Sequence, residues 1–373
     1  MFAPGRLGQI GLLNFVFRIK WRAWENCRPE WRRKQPVKKD KIMENQIKQY
    51  LGSVRLGQPQ THHNLILFPL QAAQNGVMPF ITLGEATASG TLTVSEVSTG
   101  GSVPELFVIN KGQDAVLLVD GEELIGAKQN RVLNTSILIM PKSEVKIPVS
   151  CVEQGRWSYK SLHFSPSEAI MAVKSRAQKS RSVSASLKNH ASFGSDQGQV
   201  WEEIHKLQSK ACMESPTSAM NDVFSAYDQK LKECLAKFPC DPGQQGLLVL
   251  HNGQVAGLDL ISRPEAYARL HDKFVRSYIL EALMEKPGET ADLDRARETG
   301  MKFLADASAA AEERFPSTGF GWDHRLRADG LAGNALAAHD HVIHMAIFKL
   351  EPTKPEPENM ASVNRRRSRF MRE

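Results

Sequence analysis

Long apolar runs are missing from this chain of 373 residues. The longest candidate, Ile10–Phe17, is broken by Asn14 and covers less than half of the roughly eighteen residues that a membrane-spanning helix needs. No membrane partner is therefore expected. Cysteine is scarce as well: there are five, an odd number, with no Cys-x-x-Cys pair. That usage argues against a disulfide framework and a structural zinc site, and it predicts a reducing, cytoplasmic setting. A secretory signal is not evident either, because Phe17 runs straight into Arg18-Ile19-Lys20-Trp21-Arg22. The phosphate-loop pattern G-x-x-x-x-G-K-[ST] is absent, and Gly319-Phe320-Gly321 lacks the third glycine of a dinucleotide loop. No cofactor is expected.

An even basic surface is absent too, although the net charge is +7. Residues 1–39 carry ten Lys/Arg against Glu25 and Glu30, and the last nine carry five arginines against Glu373. The stretch 40–364 is left with about −5, so a nucleic-acid partner is not supported. Residues 1–42 have no apolar periodicity and are read as a basic extension ahead of a start at Met43. A single α+β domain is expected over 43–350, with a basic flexible tail over 351–373.

What is present is ordinary globular patterning, 41% hydrophobic and 24% charged. Glu44–Leu51 reads as a short helix with Ile47, Tyr50 and Leu51 on one side. Residues 63–153 read as strands: Leu65–Leu70, Thr91–Val97, Leu106–Ile109, Val116–Val119, Arg131–Met140 and Val145–Val152. Asp120-Gly121 predicts a hairpin turn. Strands this short at this spacing point to an antiparallel sandwich or barrel-like unit. Beyond Trp157 the period turns helical, with one helix starting at Ser165-Pro166 and others around 201–211, 220–238, 264–284 and 291–314. Residues 174–188, basic and rich in serine, read as a mobile loop or a helix end. Asn252-Gly253 predicts a hairpin between Leu247–Leu250 and Val255–Ile261, and antiparallel strands around 320–348 close the helical half.

The chemistry concentrates in Asp120–Trp157. From Val145, alternate residues Ile147, Val149 and Cys151 share one strand face, and Glu153 ends it. A carboxylate at the end of an apolar face needs a cation or a cleft, and Lys128, Arg131 and Arg156 are the local cations. Cys151 reads as core packing. Glu122 and Glu123 are neighbours, so only one can share a site with Glu153. His339-Asp340-His341-Val342-Ile343-His344 invites a metal, but on a strand His344 opposes the other two and Asp340 falls in a turn, so no metal site is expected. Gly319-Phe320-Gly321 leads into Asp323-His324-Arg325, a compact polar cluster after two glycines.

The run DGEELIGAKQNRVLNTSILI, continued by IPVSCVEQGRW, resembles the signature of a bacterial family of uncharacterised function, the ARG-and-Rhodanese-Phosphatase-superfamily-associated protein domain. NLILFPL, VWEEI, SPTSA, GLDL, RSYILEAL and GFGWDHR resemble the same family in the same order, over about 43–349. The resemblance implies a place in ADP-ribose or NAD-linked metabolism or stress systems, and it carries over no residue roles. Side-chain chemistry supplies the expectations for a phosphorylated or nucleotide-like ligand. Arg131, Arg156 and Arg325 would bind anionic oxygens, and Gln129 and Asn130 would orient the ligand. Lys128, Trp157 and Asp323 would complete its contacts, with Glu153 or Glu122 as acid or base. The competing expectation is a non-catalytic interaction domain in which the same residues form a structural polar network.

Overall fold

The structure, a computed structural model, describes residues 46–73, 78–98, 100–102, 104–286 and 292–350, all within one unit that begins at Asn45. The extension and the tail expected at the two ends lie outside the described residues.

Leu65–Gln71 is apolar at nearly every position because both its faces are covered. It belongs to a nine-stranded antiparallel sheet in the order Arg55–Leu56, Leu65–Gln71, Gly246–His251, Gln254–Ile261, His341–Lys349, Leu331–Ala338, Trp322–Ala328, Ala311–Pro316, with Gln60–His62 also on Leu65–Gln71. Alternation divides its side chains between two cores. Ile66, Phe68, Leu248, Leu260 and Met345 meet the helices Gln46–Ser53 and Leu293–Ser308 on one face. Leu67, Leu247, Ile261 and Phe348 meet Val173–His190 and Pro264–Ala282 on the other.

A second β unit closes on itself. Ser143–Cys151, Glu105–Asn110, Leu92–Glu96, Phe164–Ile170, Glu122–Gly126 and Arg131–Leu133 form a six-stranded barrel filled by Val94, Val108, Leu124, Leu133, Ile147, Val149 and Phe164. The expected sandwich or barrel-like unit is thus a barrel, and the fold is α+β with a β-rich first half and antiparallel closing strands. A short sheet of Ile137–Ile139, Val116–Leu118 and Ile81–Thr82 lies beside it in sequence. Among the described residues no helix is long and apolar enough to cross a membrane.

Four local expectations are corrected. Asp120-Gly121 turns the chain but makes no hairpin: Val116–Leu118 pairs with Ile137–Ile139, whereas Glu122–Gly126 joins the barrel. The helix placed at Ser165-Pro166 is a barrel strand, in which Ser165 faces Ile125 and Pro166 sits where the register shifts and no ladder N–H is needed. Residues 174–188 are neither loop nor helix end but the middle of the 18-residue helix Val173–His190, whose Arg176, Lys179 and Ser180 are fully buried. Helix 291–314 stops at Ser308, and Ala311–Pro316 becomes the last strand of the large sheet. The Asn252-Gly253 hairpin forms as expected, with φ of 51° and 71° at the two turn residues.

Gly121 has φ +80°, and a Cβ added there would stand 2.9 Å from Arg176 Nε. Gly121→Ala is expected to cost about 1–3 kcal/mol, read as a lower urea midpoint. An unchanged midpoint would show that the turn and Arg176 tolerate a side chain.

Candidate functional site

One end of the barrel gathers seven of the residues singled out from the sequence. The strands Glu122–Gly126 and Arg131–Leu133 are joined by a loop whose backbone Arg156 collects. Arg156 Nη1 donates to the carbonyls of Ala127 (2.7 Å) and Ser158 (2.8 Å). Its Nη2 donates to Gly126 O (3.2 Å), Asn130 Oδ1 (3.1 Å) and Glu153 Oε2 (2.6 Å). Of the three cations near Glu153 in sequence, Arg156 is its ion-pair partner.

Glu153 is 1% exposed and its two oxygens are both engaged. Oε2 also accepts from Asn130 N–H (3.1 Å), and Oε1 accepts from Thr217 Oγ1 (3.0 Å), with Lys160 Nζ at 3.7 Å. Its carbonyl accepts from the Gln129 amide. The close approach of Gly155 to Thr217, where a Cβ would meet Thr217 Cα at 2.9 Å, requires glycine. Burial pushes the Glu153 carboxyl up, but Arg156, Asn130 N–H and Thr217 together hold it below the ordinary glutamate value. The Glu153–Arg156 pair therefore pins the barrel loop to the segment before helix Met220–Ala226.

Arg131 is held differently. Its strand neighbour Leu133 points into the barrel, so Arg131 lies at the inner end of that face, opposite Cys151 in register. It is 0% exposed, and Nη1 donates to Gln129 Oε1 (2.7 Å) and Gln129 O (3.3 Å). Among the described residues Nε and Nη2 have no hydrogen-bond partner. The guanidinium carbon is 5.6 Å from the Trp157 ring centroid, and Lys128 Nζ lies 5.4 Å from Trp157 and 5.2 Å from Tyr159. Both rings are half exposed, at 48% and 51%. Glu96 Oε1 accepts from Lys128 N–H (3.4 Å), and its buried Oε2 has no hydrogen-bond partner among the described residues. Cys151 is buried beside Arg131, and burial pushes its thiol up to about 11, so it is not a thiolate at neutral pH.

The other three residues do not join this end. Glu122 pairs with Lys273 of helix Pro264–Ala282 at 3.1 Å. Asp323 and Arg325 pair with each other (2.5 and 2.9 Å) and with Thr135, on the large sheet. Glu123, weighed only as the neighbour of Glu122, accepts from Ser167 Oγ (2.8 Å), and burial pushes its carboxyl up to about 8. The three histidines separate: His339 and Asp340 form a turn, while His344 lies buried with Nδ1 2.8 Å from Ser136 Oγ. Among the described residues no group of three or more His, Cys, Asp or Glu is arranged to hold a metal ion.

Sequence reasoning missed a second polar centre, deeper than the first. Arg176 forms a bidentate pair with Asp259 (2.9 and 2.7 Å), which also accepts from Tyr278 Oη (2.8 Å) and faces His344 Nε2 at 3.4 Å. Lys179 pairs with Asp120 and donates to Leu133 O (2.8 Å). The signal was present in part. Arg176, Lys179 and Val183 fall on one helical face, and Asp259 interrupts the apolar strand VAGLDLI.

A family model described as ARG and Rhodanese-Phosphatase-superfamily-associated Protein domain matches residues 53–348. The chain belongs to this family. The matched span takes in the barrel, the large sheet and both polar centres of this ARG and Rhodanese-Phosphatase-superfamily-associated domain. No curated protein and no solved structure matches the chain.

Glu153 and Glu123, two of the shifted carboxyls of the domain, predict opposite pH slopes. The folded value of Glu153 is depressed, so its contribution is full above the unfolded value of about 4.3 and is lost as pH falls through the folded value. The folded value of Glu123 is raised, so the unfolded chain ionises first and stability falls as pH rises from about 4.3 toward about 8. Urea unfolding across pH should show Glu123→Gln flattening the alkaline decline and Glu153→Gln flattening the acid one. Parallel curves for all three proteins would contradict the assignment.

Proposed function

We propose that the barrel end at Arg131, Lys128 and Trp157 binds a phosphorylated or nucleotide-like small molecule, with ADP-ribose and NAD-linked compounds the class to test first. The observation that carries this reading is the Arg131 guanidinium, buried with two of its nitrogens unspent. A buried cation with open donors costs several kcal/mol unless an anion answers it, and a phosphate oxygen pair matches its fork. The neighbouring chemistry is consistent with the rest of such a ligand. The half-exposed Trp157 and Tyr159 rings, with Lys128 Nζ near both, offer a stacking face for a base. Glu96 Oε2 offers an acceptor for a sugar hydroxyl. The family's description as associated with ARG and the rhodanese-phosphatase superfamily, with the ADP-ribose or NAD-linked setting that the sequence resemblance implies, supports the direction.

In this reading Arg156, Asn130, Gln129 and Glu153 position the loop that carries Lys128 and Arg131. Acid–base work by Glu153 would first have to release it from Arg156 and Thr217, so the geometry favours binding over turnover there. The competing reading is a structural domain without a ligand, and the fully engaged Glu153 is its best support.

Arg131→Met separates them. Methionine fills similar volume without unpaired donors, so the variant should melt at or above the wild-type temperature. Thermal-shift titration with ADP-ribose, NAD, nucleotides and sugar phosphates should stabilise the wild type by about 2–4 °C or more at saturation and leave Arg131→Met unmoved. No shift in the wild type with any of these, or an equal shift in both proteins, would leave the structural reading standing.

A further inference from the structure

A small cavity of about 220 Å³ lies between helix Gln46–Ser53, the residues that follow strand Leu65–Gln71 and the start of strand His341–Lys349. None of its described lining residues belongs to the barrel end. Helical spacing builds its polar wall. Ile47 and Leu51 turn into the core, while Gln46 and Tyr50, four residues apart, lie next to each other along the cavity. Ser53 Oγ stands 2.7 Å from Tyr50 O and 3.3 Å from Ala73 O, which ties the end of the helix to the segment after the strand.

The wall is set apart by polar atoms that nothing answers. Tyr50 is 6% exposed, yet among the described residues its Oη has no hydrogen-bond partner. The same holds for both Oε1 and Nε2 of the Gln46 amide, which are buried as well. Such groups cost stability while they stay dry, and a molecule with matching donors and acceptors relieves them. Burial pushes the Tyr50 phenol up, so it is a neutral hydroxyl at physiological pH. The charge of a fitting ligand follows from the rest of the lining. Among the described lining residues there is no Lys or Arg, and Asp340, exposed at the rim, is the one carboxylate. A phosphate or carboxylate would meet repulsion there without a counter-charge. Val342, which is buried, and the Tyr50 ring add an apolar surface.

We infer that this cavity binds a small uncharged molecule through a carboxamide group. The Gln46 amide offers an acceptor and a donor side by side, and the amide edge of a primary carboxamide presents the complementary pair. Tyr50 Oη supplies a third hydrogen bond, and the apolar surface covers the ring that carries the amide. The volume falls below the usual range of ligand pockets, about 300–1,000 Å³, so a single-ring amide suits it and a nucleotide does not.

Isothermal titration of the full chain with nicotinamide and benzamide tests this. Nicotinate, which keeps the ring and replaces the amide by a carboxylate, is the control. The wild type should bind both amides, and nicotinate about tenfold or more weakly, equivalent to about 1.4 kcal/mol. Gln46→Met keeps a good helix former in place and should weaken both amides about tenfold or more, with folding checked by circular dichroism. Tyr50→Phe removes only the unanswered hydroxyl, so it should weaken binding severalfold and melt no lower than the wild type. Arg131→Met should bind the amides as the wild type does. The assignment is overturned if neither amide binds the wild type, if nicotinate binds as well as nicotinamide, or if binding survives both Gln46→Met and Tyr50→Phe unchanged. Loss in Arg131→Met would move the amide to the barrel end and overturn it equally. The barrel-end proposal fails on a different result, the thermal shifts above.

Discussion

The Arg176–Asp259 pair is the constraint around which the rest is arranged. It joins a helix to the middle of the nine-stranded sheet with two hydrogen bonds of 2.9 and 2.7 Å, and neither side chain is exposed. Asp120, at the entry to the barrel, stands 3.9 Å from the same guanidinium and takes Lys179 one turn further along the helix. One helical face thus holds the barrel and the sheet together through two cations and two carboxylates. Burial pushes the Asp259 carboxyl up, but Arg176 and His344 hold it below the ordinary aspartate value, so it stays ionised. Phe348 and Phe274 lie against the guanidinium, at 4.9 and 5.8 Å, and keep the pair dry. In such surroundings the loss of one partner leaves an uncompensated charge, which costs about 3–5 kcal/mol.

The barrel end is connected to this frame through the chain. Asp120 leads through Gly121 into Glu122–Gly126, and that strand carries the loop that Arg156 and Glu153 pin in place. Buried atoms without a hydrogen-bond partner among the described residues occur along the whole path, at Arg176 Nε, Asp120 Oδ2 and Glu122 Oε2 as well as at the barrel end. Asp259 and Glu153 are fully engaged, whereas Arg131 and Glu96 keep open atoms next to half-exposed aromatic rings. What sets Arg131 apart from Arg176 is that its unspent donors lie next to half-exposed rings, whereas those of Arg176 lie within the closed core.

Legibility followed the range of the interactions. Gln46–Ser53 was readable because Ile47, Tyr50 and Leu51 recur at helical spacing, and the 247–261 hairpin because Asn252-Gly253 accepts positive φ. The burial of Glu153 followed from strand alternation, and its partner Arg156 lies three residues away. Asp120-Gly121 showed its turn but not its pairing, since nothing local says that the flanking strands belong to different sheets. Residues 174–188 looked solvated because their counter-charges, Asp120 and Asp259, come from distant strands. A basic stretch has no acids near it in sequence when its acids are supplied by the fold.

The Arg176–Asp259 pair couples the helix to the sheet inside the core. A double-mutant cycle by urea unfolding tests it most directly, with Arg176→Met, Asp259→Leu and the two together. Each single change should cost about 3 kcal/mol or more, and the double should cost less than either, because both charges are then gone. Single changes within about 0.5 kcal/mol of wild type, or a double equal to their sum, would contradict the account.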